Sequence, residues 1–316
     1  MEYRDPEDTG DGSDQERAAE QPKPYEPIYA GEGEPLVRPS YEPPPPAPTR
    51  KIRRLEKPLG EPMRLVFGDM SGAFFLVFIP VLFAFFFPWN LWLPNIAVAK
   101  GLTVRHLALA CTIAIFPWIV LTLHLARGRL WDGILDMFLW AIWECGIMIT
   151  LCYLYPHRAE AVLYNAAAYW DDMQSWLITG HGTEGTISAW FPIHLRHLVL
   201  IHIGAFLIGL PGLVLGVLQL NFMNYYVSRC MLAATDPLRT LPVAWHFWSV
   251  IRVLGFITIA SAIYQVFLRL IFRVPARWGW IWGAWFSGMI FVVLDALLKW
   301  RFAETVRMML RSLCNF

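Results

Sequence analysis

The sequence predicts an all-α fold: a polytopic integral membrane bundle of about six transmembrane helices behind a disordered N-terminal tail. Three observations carry this reading. The 316 residues are 56% hydrophobic and 15% aromatic. In water that composition would expose large apolar patches, whereas lipid-facing helices account for it directly. The apolar residues fall in runs of about 20, the length a helix needs to cross a hydrocarbon core about 30 Å thick. Charge is also segregated: residues 1–49 hold 12 acidic and 4 basic residues, and residues 50–64 hold 6 basic and 2 acidic, inside a net charge of only +1.

Residues 1–60 form an acidic, Pro-rich tail with Pro43 to Pro46 and two Tyr-Glu-Pro copies, at Tyr25–Pro27 and Tyr41–Pro43. Such a segment buries too little apolar area to offset its ordering entropy, so it is expected to stay disordered. Its proline run favours extended polyproline II, a docking form for small cytoplasmic modules. No basic n-region precedes an apolar segment at the start, so no cleavable signal is expected. The basic residues Arg50, Lys51, Arg53, Arg54, Lys57 and Arg64 place the N-terminus in the cytoplasm by the positive-inside rule.

The membrane domain is expected over residues 61–300. The first span covers roughly Ser71 to Leu93, the second His106 to Leu125 with a bend at Pro117, and the third Ile134 to Tyr155. The interval 156–192 is expected on the outer side. There Ala159, Val162, Ala166, Trp170, Met173 and Leu177 recur at helical spacing, as on an amphipathic helix lying on the membrane or capping the bundle. A fourth span, Leu198 to Leu220, returns to the inside, followed by a cytoplasmic loop over 221–245 with a helix-start cue at Thr235-Asp236-Pro237. The fifth span is His246 to Leu268 and the sixth Trp278 to Leu298. Residues 301–316 form a short cytoplasmic amphipathic helix. Both termini are then cytoplasmic, in a plasma or inner membrane. The turn carrying Arg269, Arg273 and Arg277 conflicts with this layout because it would lie outside. A five-span or re-entrant arrangement therefore stays open.

Ionisable residues inside a membrane are functional candidates by default. Glu144 stands about ten residues into the third span, about 15 Å deep at 1.5 Å per residue, and suits a proton or cation relay or a neutral packing group. Arg252 and Asp295 stand at similar depth on the last two spans and can pair. At about 100° per residue, Ala205, Gly209, Gly212 and Gly216 fall within about 40° of one another, a small-residue stripe for close helix packing. His194 joins that stripe, His202 lies beside it, and His197 points elsewhere. His181, His194 and His202, with Glu184, form a candidate metal or haem ligand set on the outer side, since imidazole suits such ions. His106 and His124, eighteen residues apart, share a face and could serve paired haems with help from His202 and His246.

Cys111, Cys145, Cys152, Cys230 and Cys314 form no CxxC pair and suggest no disulfide or zinc framework. No Walker loop, GxSxG or HExxH is present, and no nucleic-acid pattern. The reading is a non-enzymatic multi-pass protein whose surroundings are the lipid bilayer, with other membrane proteins and a cytoplasmic partner of the Pro-rich tail. In that reading it is a scaffold or accessory subunit of a membrane assembly, without a cofactor. The alternatives are a small-solute, proton or ion transporter using Glu144, and a haem-binding redox subunit.

Overall fold

The computed structural model describes residues 70–99 and 101–315. The expected tail over 1–60 and the basic stretch 50–64 lie outside the described residues. The fold class is all-α. Among the described residues the chain forms α1 (Met70–Phe86), α2 (Trp89–Trp92), a two-stranded antiparallel hairpin of β1 (Ala97–Ala99) and β2 (Leu102–Thr103), then α3 (Val104–Ala126) and α4 (Leu130–Leu154). There follow α5 (Pro156–Val162), α6 (Ala166–Thr179), α7 (Ile187–Phe206), α8 (Leu210–Ala233), α9 (Pro237–Ala244), α10 (Phe247–Phe272) and α11 (Trp278–Leu313). Four of these, α3, α4, α10 and α11, are long and apolar enough to cross a membrane.

Local chemistry sets the ends of these helices. Thr103 and His106 form a capping box at the start of α3, with the Thr103 amide donating to His106 Nδ1 at 3.1 Å. The hydroxyls of Thr112 and Thr122 fold back onto the carbonyls of Ala108 and Trp118, at 2.8 and 2.7 Å, so neither polar group is left bare inside α3. The α3–α4 turn carries Arg127 and Arg129, and across it His124 Nε2 meets Asp136 Oδ2 at 2.7 Å. Arg269 donates to the Ala276 carbonyl at 2.6 Å and lies over Trp278, which shapes the α10–α11 turn.

The two turns share one end of the bundle. Thr122 and Tyr264 are hydrogen-bonded at 2.9 Å, and Gln265 donates to the Leu125 carbonyl at 3.2 Å. At the opposite end, Arg158 donates to the carbonyls of Phe85 and Phe87, Tyr225 donates to Glu160, and Arg307 donates to the Leu177 carbonyl. We call these the turn end and the cap end. The helix α1 runs antiparallel to α3, with Ile79 beside Ile115 and Phe116 and its last residues against Tyr155 at the cap end.

The expected fourth span is overturned. Leu198 to Leu220 is not one helix: α7 stops at Phe206, and Ile208 and Gly209 take left-handed φ values of 69° and 79°. Two successive left-handed residues reverse the chain, and Pro211 in the first turn of α8 has no N–H to extend a helix through it. The two limbs therefore fold back on each other. A Cβ on Gly204 would stand 2.6 Å from the Gly212 amide nitrogen, so only glycine permits this approach. The tip of this hairpin stops part-way along α3: the Trp118 indole N–H donates to the Ile208 carbonyl at 2.8 Å. Trp118 is eight residues before the end of α3, or about 12 Å short of it.

The expected stripe of Ala205, Gly209, Gly212 and Gly216 is corrected with it. Ala205 and Gly212 do meet closely, but from opposite limbs of the hairpin; Gly209 lies in the turn against the Tyr264 ring, and Gly216 faces open space.

The fold-back of α7 and α8 decides which segments share an end of the bundle. Helices α3, α4, α10 and α11 run from one end to the other, while α7–α8 enters from the cap end and returns to it. The interval 156–192 thus lies at the same end as Arg229, Lys299 and Arg307, not opposite them: Arg229 stands over Trp170 and Glu184 contacts Lys299. The α10–α11 turn, with Arg269, Arg273 and Arg277, lies beside the turn of Arg127 and Arg129, where a Cβ on Gly128 would stand 2.9 Å from the Pro275 carbonyl oxygen.

The predicted stripe of the 156–192 interval is present on α5 and α6, where Ala159, Ala166, Trp170, Met173 and Leu177 are buried against the bundle. Residues 221–245 are not a loop: they complete α8 and form α9, capped by Asp236, whose carboxylate accepts the Arg239 amide at 3.2 Å. The C-terminal segment is no separate helix either. It continues α11, which runs unbroken for 36 residues and is pinned to the end of α8 by the Asn315 amide on the Ala233 carbonyl at 2.8 Å.

Candidate functional site

Helices α10 and α11 cross at Gly255 and Gly288. A Cβ on Gly288 would stand 2.9 Å from the Gly255 carbonyl oxygen, and that proximity sets the polar residues one and two turns away face to face. Arg252 Nε and Nη2 donate to Asp295 Oδ2 and Oδ1 at 2.9 and 3.0 Å, a two-pronged pair in which the Asp295 side chain is 3% exposed. One turn on, Lys299 Nζ lies 2.5 Å from Glu184 Oε2 and 4.8 Å from the centre of the Trp190 ring.

Glu184 stands in the loop between α6 and α7. The loop is held where the Thr183 amide donates to both carboxylate oxygens of Asp172, at 3.1 and 3.3 Å. Burial would raise the Glu184 pKa, but the nearby charges of Lys299 and Arg252 outweigh it and hold the carboxyl down at about 2. Glu184 is therefore an anion at neutral pH. The two pairs place two cations and two anions in alternation, so the buried network balances its own charge, as buried ions must.

Beside this network lies a cavity of about 560 Å³ walled by α6, α7, α8 and α10. Its cap-end lining is polar, with Glu184, His194, Arg196, His197, Gln219 and Arg252. Its deeper lining is apolar, with Leu200, Leu213, Phe256 and Ile257. The gradient follows from α7 and α10, where His194, Arg196, His197, Ser249 and Arg252 lie toward the cap end and Leu200, Phe256 and Ile257 deeper, whereas on α8 Gln219 is flanked by apolar residues on both sides. A polar rim above an apolar floor can seat a molecule with one polar and one apolar end.

The candidate residues distribute unevenly around this cavity. Arg252 lines it and meets Asp295 behind the wall. Glu144 does not reach it: its carboxylate is fully buried between α4 and α8, accepting from Asn224 Nδ2 at 3.2 Å, with Trp140 and Ala141 one turn away on the cavity wall. His202 turns toward α11, accepting the Trp285 indole N–H at 3.1 Å.

The histidines do not converge. His194 lines the cavity with Nδ1 hydrogen-bonded to the Trp190 carbonyl, whereas His181 sits exposed in the loop. His106 is held by its capping box and His124 by Asp136; His246 contacts the Tyr226 hydroxyl and stacks on Trp248. Among the described residues no group of three or more His, Cys, Asp or Glu side chains comes together as a metal-ligand set.

Three participants escape sequence reasoning: Lys299, Tyr169 and Arg196. The signal for Lys299 is its spacing of four residues from Asp295, which places both on one face of an otherwise apolar helix. For Arg196 it is a lone charge within a run of apolar residues. Tyr169 lines the cavity, and burial pushes its hydroxyl pKa up, so it offers a neutral O–H there.

The chain matches no protein-family model, no curated protein and no solved structure.

Proposed function

We propose that this multi-pass membrane protein binds a small solute within the bilayer and carries out a transport-type task on it. The observation that supports this best is the cavity, walled in part by the two limbs of a helical hairpin that enters from the cap end and turns back part-way along α3. Broken helices beside a binding site are a recurrent transporter device. The solute site in this reading is centred on Arg252, His194 and Glu184. Glu144 stands behind the wall as a packing group that keeps α4 and α8 in register. Proteoliposomes loaded with candidate solutes test this: Phe256→Trp, which fills the apolar floor, should abolish flux while leaving the protein folded. Unchanged flux would sink the assignment of the site.

In this reading the turn end faces the cytoplasm, because Arg127, Arg129, Arg269, Arg273 and Arg277 crowd two short turns there. The N-terminal tail then lies on the cytoplasmic side and the C-terminus on the other.

A second reading, as an accessory subunit of a membrane assembly, is favoured by one specific feature. Gly279 and Gly283 sit one turn apart on the exposed face of α11, and a Cβ added at either would meet nothing within 4 Å. That is the spacing at which a second helix packs closely. Co-purification in mild detergent tests it. Gly283→Leu, or removal of residues 1–60, should release the partner, and a lone species in every case would remove this reading.

A further inference from the structure

Resting on the reading of the cavity as a binding site, we infer that its ligand is an amphiphile with an anionic phosphate or carboxylate head and an alkyl chain, with Arg196 holding the head. Two of the three cations at the site are spent on the protein's own anions. Arg252 is matched by Asp295 and Lys299 by Glu184. The Asp172 carboxylate is occupied by the Thr183 amide. Arg196 lines the cavity, is exposed, and has no ion-pair or hydrogen-bond partner among the described residues.

Its level in the bundle makes that isolation informative. Trp190 reaches Lys299, and His202 reaches Trp285, which fixes the level of α7 against that of α11. Arg196 falls halfway, about 9 Å from each level at 1.5 Å per residue. At that level the sequence of α11 is wholly apolar, from Met289 to Leu294. On α7 itself the neighbours Leu195, Val199, Leu200 and Ile203 are exposed apolar side chains. A guanidinium in an apolar strip at that depth is costly unless an anion meets it or its chain reaches the rim. An arginine fork matches the oxygens of a phosphate or carboxylate. Leu200, one turn deeper on the same helix, begins the apolar lining that would take an alkyl chain. The exposed α7 strip offers a lateral route from the bilayer.

The test uses the purified full chain in detergent, with thermal midpoint read against added dioleoyl phosphatidylglycerol, dioleoyl phosphatidylcholine or inorganic phosphate. Phosphatidylglycerol should raise the midpoint saturably, and the other two should not. Arg196→Gln should weaken that response about tenfold, the loss of about one charge-assisted contact, and Arg196→Lys should retain part of it. Should Arg196→Gln not fold, Leu200→Trp, which blocks the start of the apolar lining, serves in its place and should also weaken the response. An equal response to phosphatidylcholine would overturn the anionic head while leaving a lipid-binding cavity. A response to inorganic phosphate alone would overturn the alkyl chain. No response to any probe, together with solute flux unaffected by Phe256→Trp, would overturn the cavity reading itself; no response with flux still blocked by that variant would overturn only the amphiphile.

Discussion

Lys299, with no exposed surface, holds Glu184 by an ion pair of 2.5 Å, and so ties the cap-end half of α11 to the loop that launches α7. Removing one partner leaves the other as an uncompensated buried charge, at a cost of about 3–5 kcal/mol. Glu184→Gln should therefore lower the thermal midpoint in detergent markedly, and Glu184→Gln with Lys299→Met should recover part of the loss. A double variant no better than the single one would show that the pair is not the unit of stability.

The same pair sets an acid limit. The Glu184 pKa falls from an ordinary 4.5 to about 2 on folding. A depressed carboxyl contributes stability that is fully present above its ordinary value and is lost as pH falls through the folded one. This contribution should hold from neutral pH to about 5 and disappear between about 4.5 and 2. A melting series across that range in Glu184→Gln should lack that component of the acid slope; an identical slope would rule Glu184 out as its source.

The hairpin predicts an asymmetry among glycines. Gly204→Val and Gly212→Val drive side chains into the opposite backbone and should destabilise by about 1–3 kcal/mol or more, whereas Gly216→Ala meets nothing within 4 Å and should be neutral. Thermal midpoints of the three variants check this. Equal effects would mean the limbs are not packed at Gly204 and Gly212.

Parity makes a further prediction. With α7–α8 returning to the cap end, the α3–α4 turn and the C-terminus lie at opposite ends of the bundle. Reporter fusions at Gly128 and after Phe316 should label opposite faces of the membrane. Labelling on one face would restore a sixth crossing.

Asn221 is 2% exposed, and neither its amide nitrogen nor its oxygen has a hydrogen-bond partner among the described residues. A buried unsatisfied amide costs about 1–3 kcal/mol, so Asn221→Leu should raise the thermal midpoint. A fall would mean that this amide has a partner in the membrane-embedded protein.

Helices α3, α4, α10 and α11 are legible in the sequence because each is an apolar run bounded by charges or aromatics. The pairing of Arg252 with Asp295 is legible because a short turn makes their helices neighbours. The hairpin is not, since hydropathy counts side chains and is blind to the backbone dihedrals of Ile208. The visible cue is Gly209-Leu210-Pro211-Gly212, which reads equally as a kink. Taking it for a kink puts Glu184 and Lys299 on opposite sides of a membrane and hides their contact. His202 departs from expectation for a simpler reason: eight residues rotate a helix about 80° past two full turns, enough to turn it from His194's cavity toward Trp285.

The length of α11 has a mechanical consequence. Its 36 residues make a rod of about 54 Å, which outruns a hydrocarbon core of about 30 Å by nearly half its length. The outer part is clasped by α6 through Arg307 and by α8 through Asn315. Pivoting about the Gly255–Gly288 crossing, a tilt of about 10° would swing Leu313 sideways by about 6 Å, given about 1.5 Å of rod per residue. Because of those clasps, any such tilt would carry α6 and the end of α8 with it.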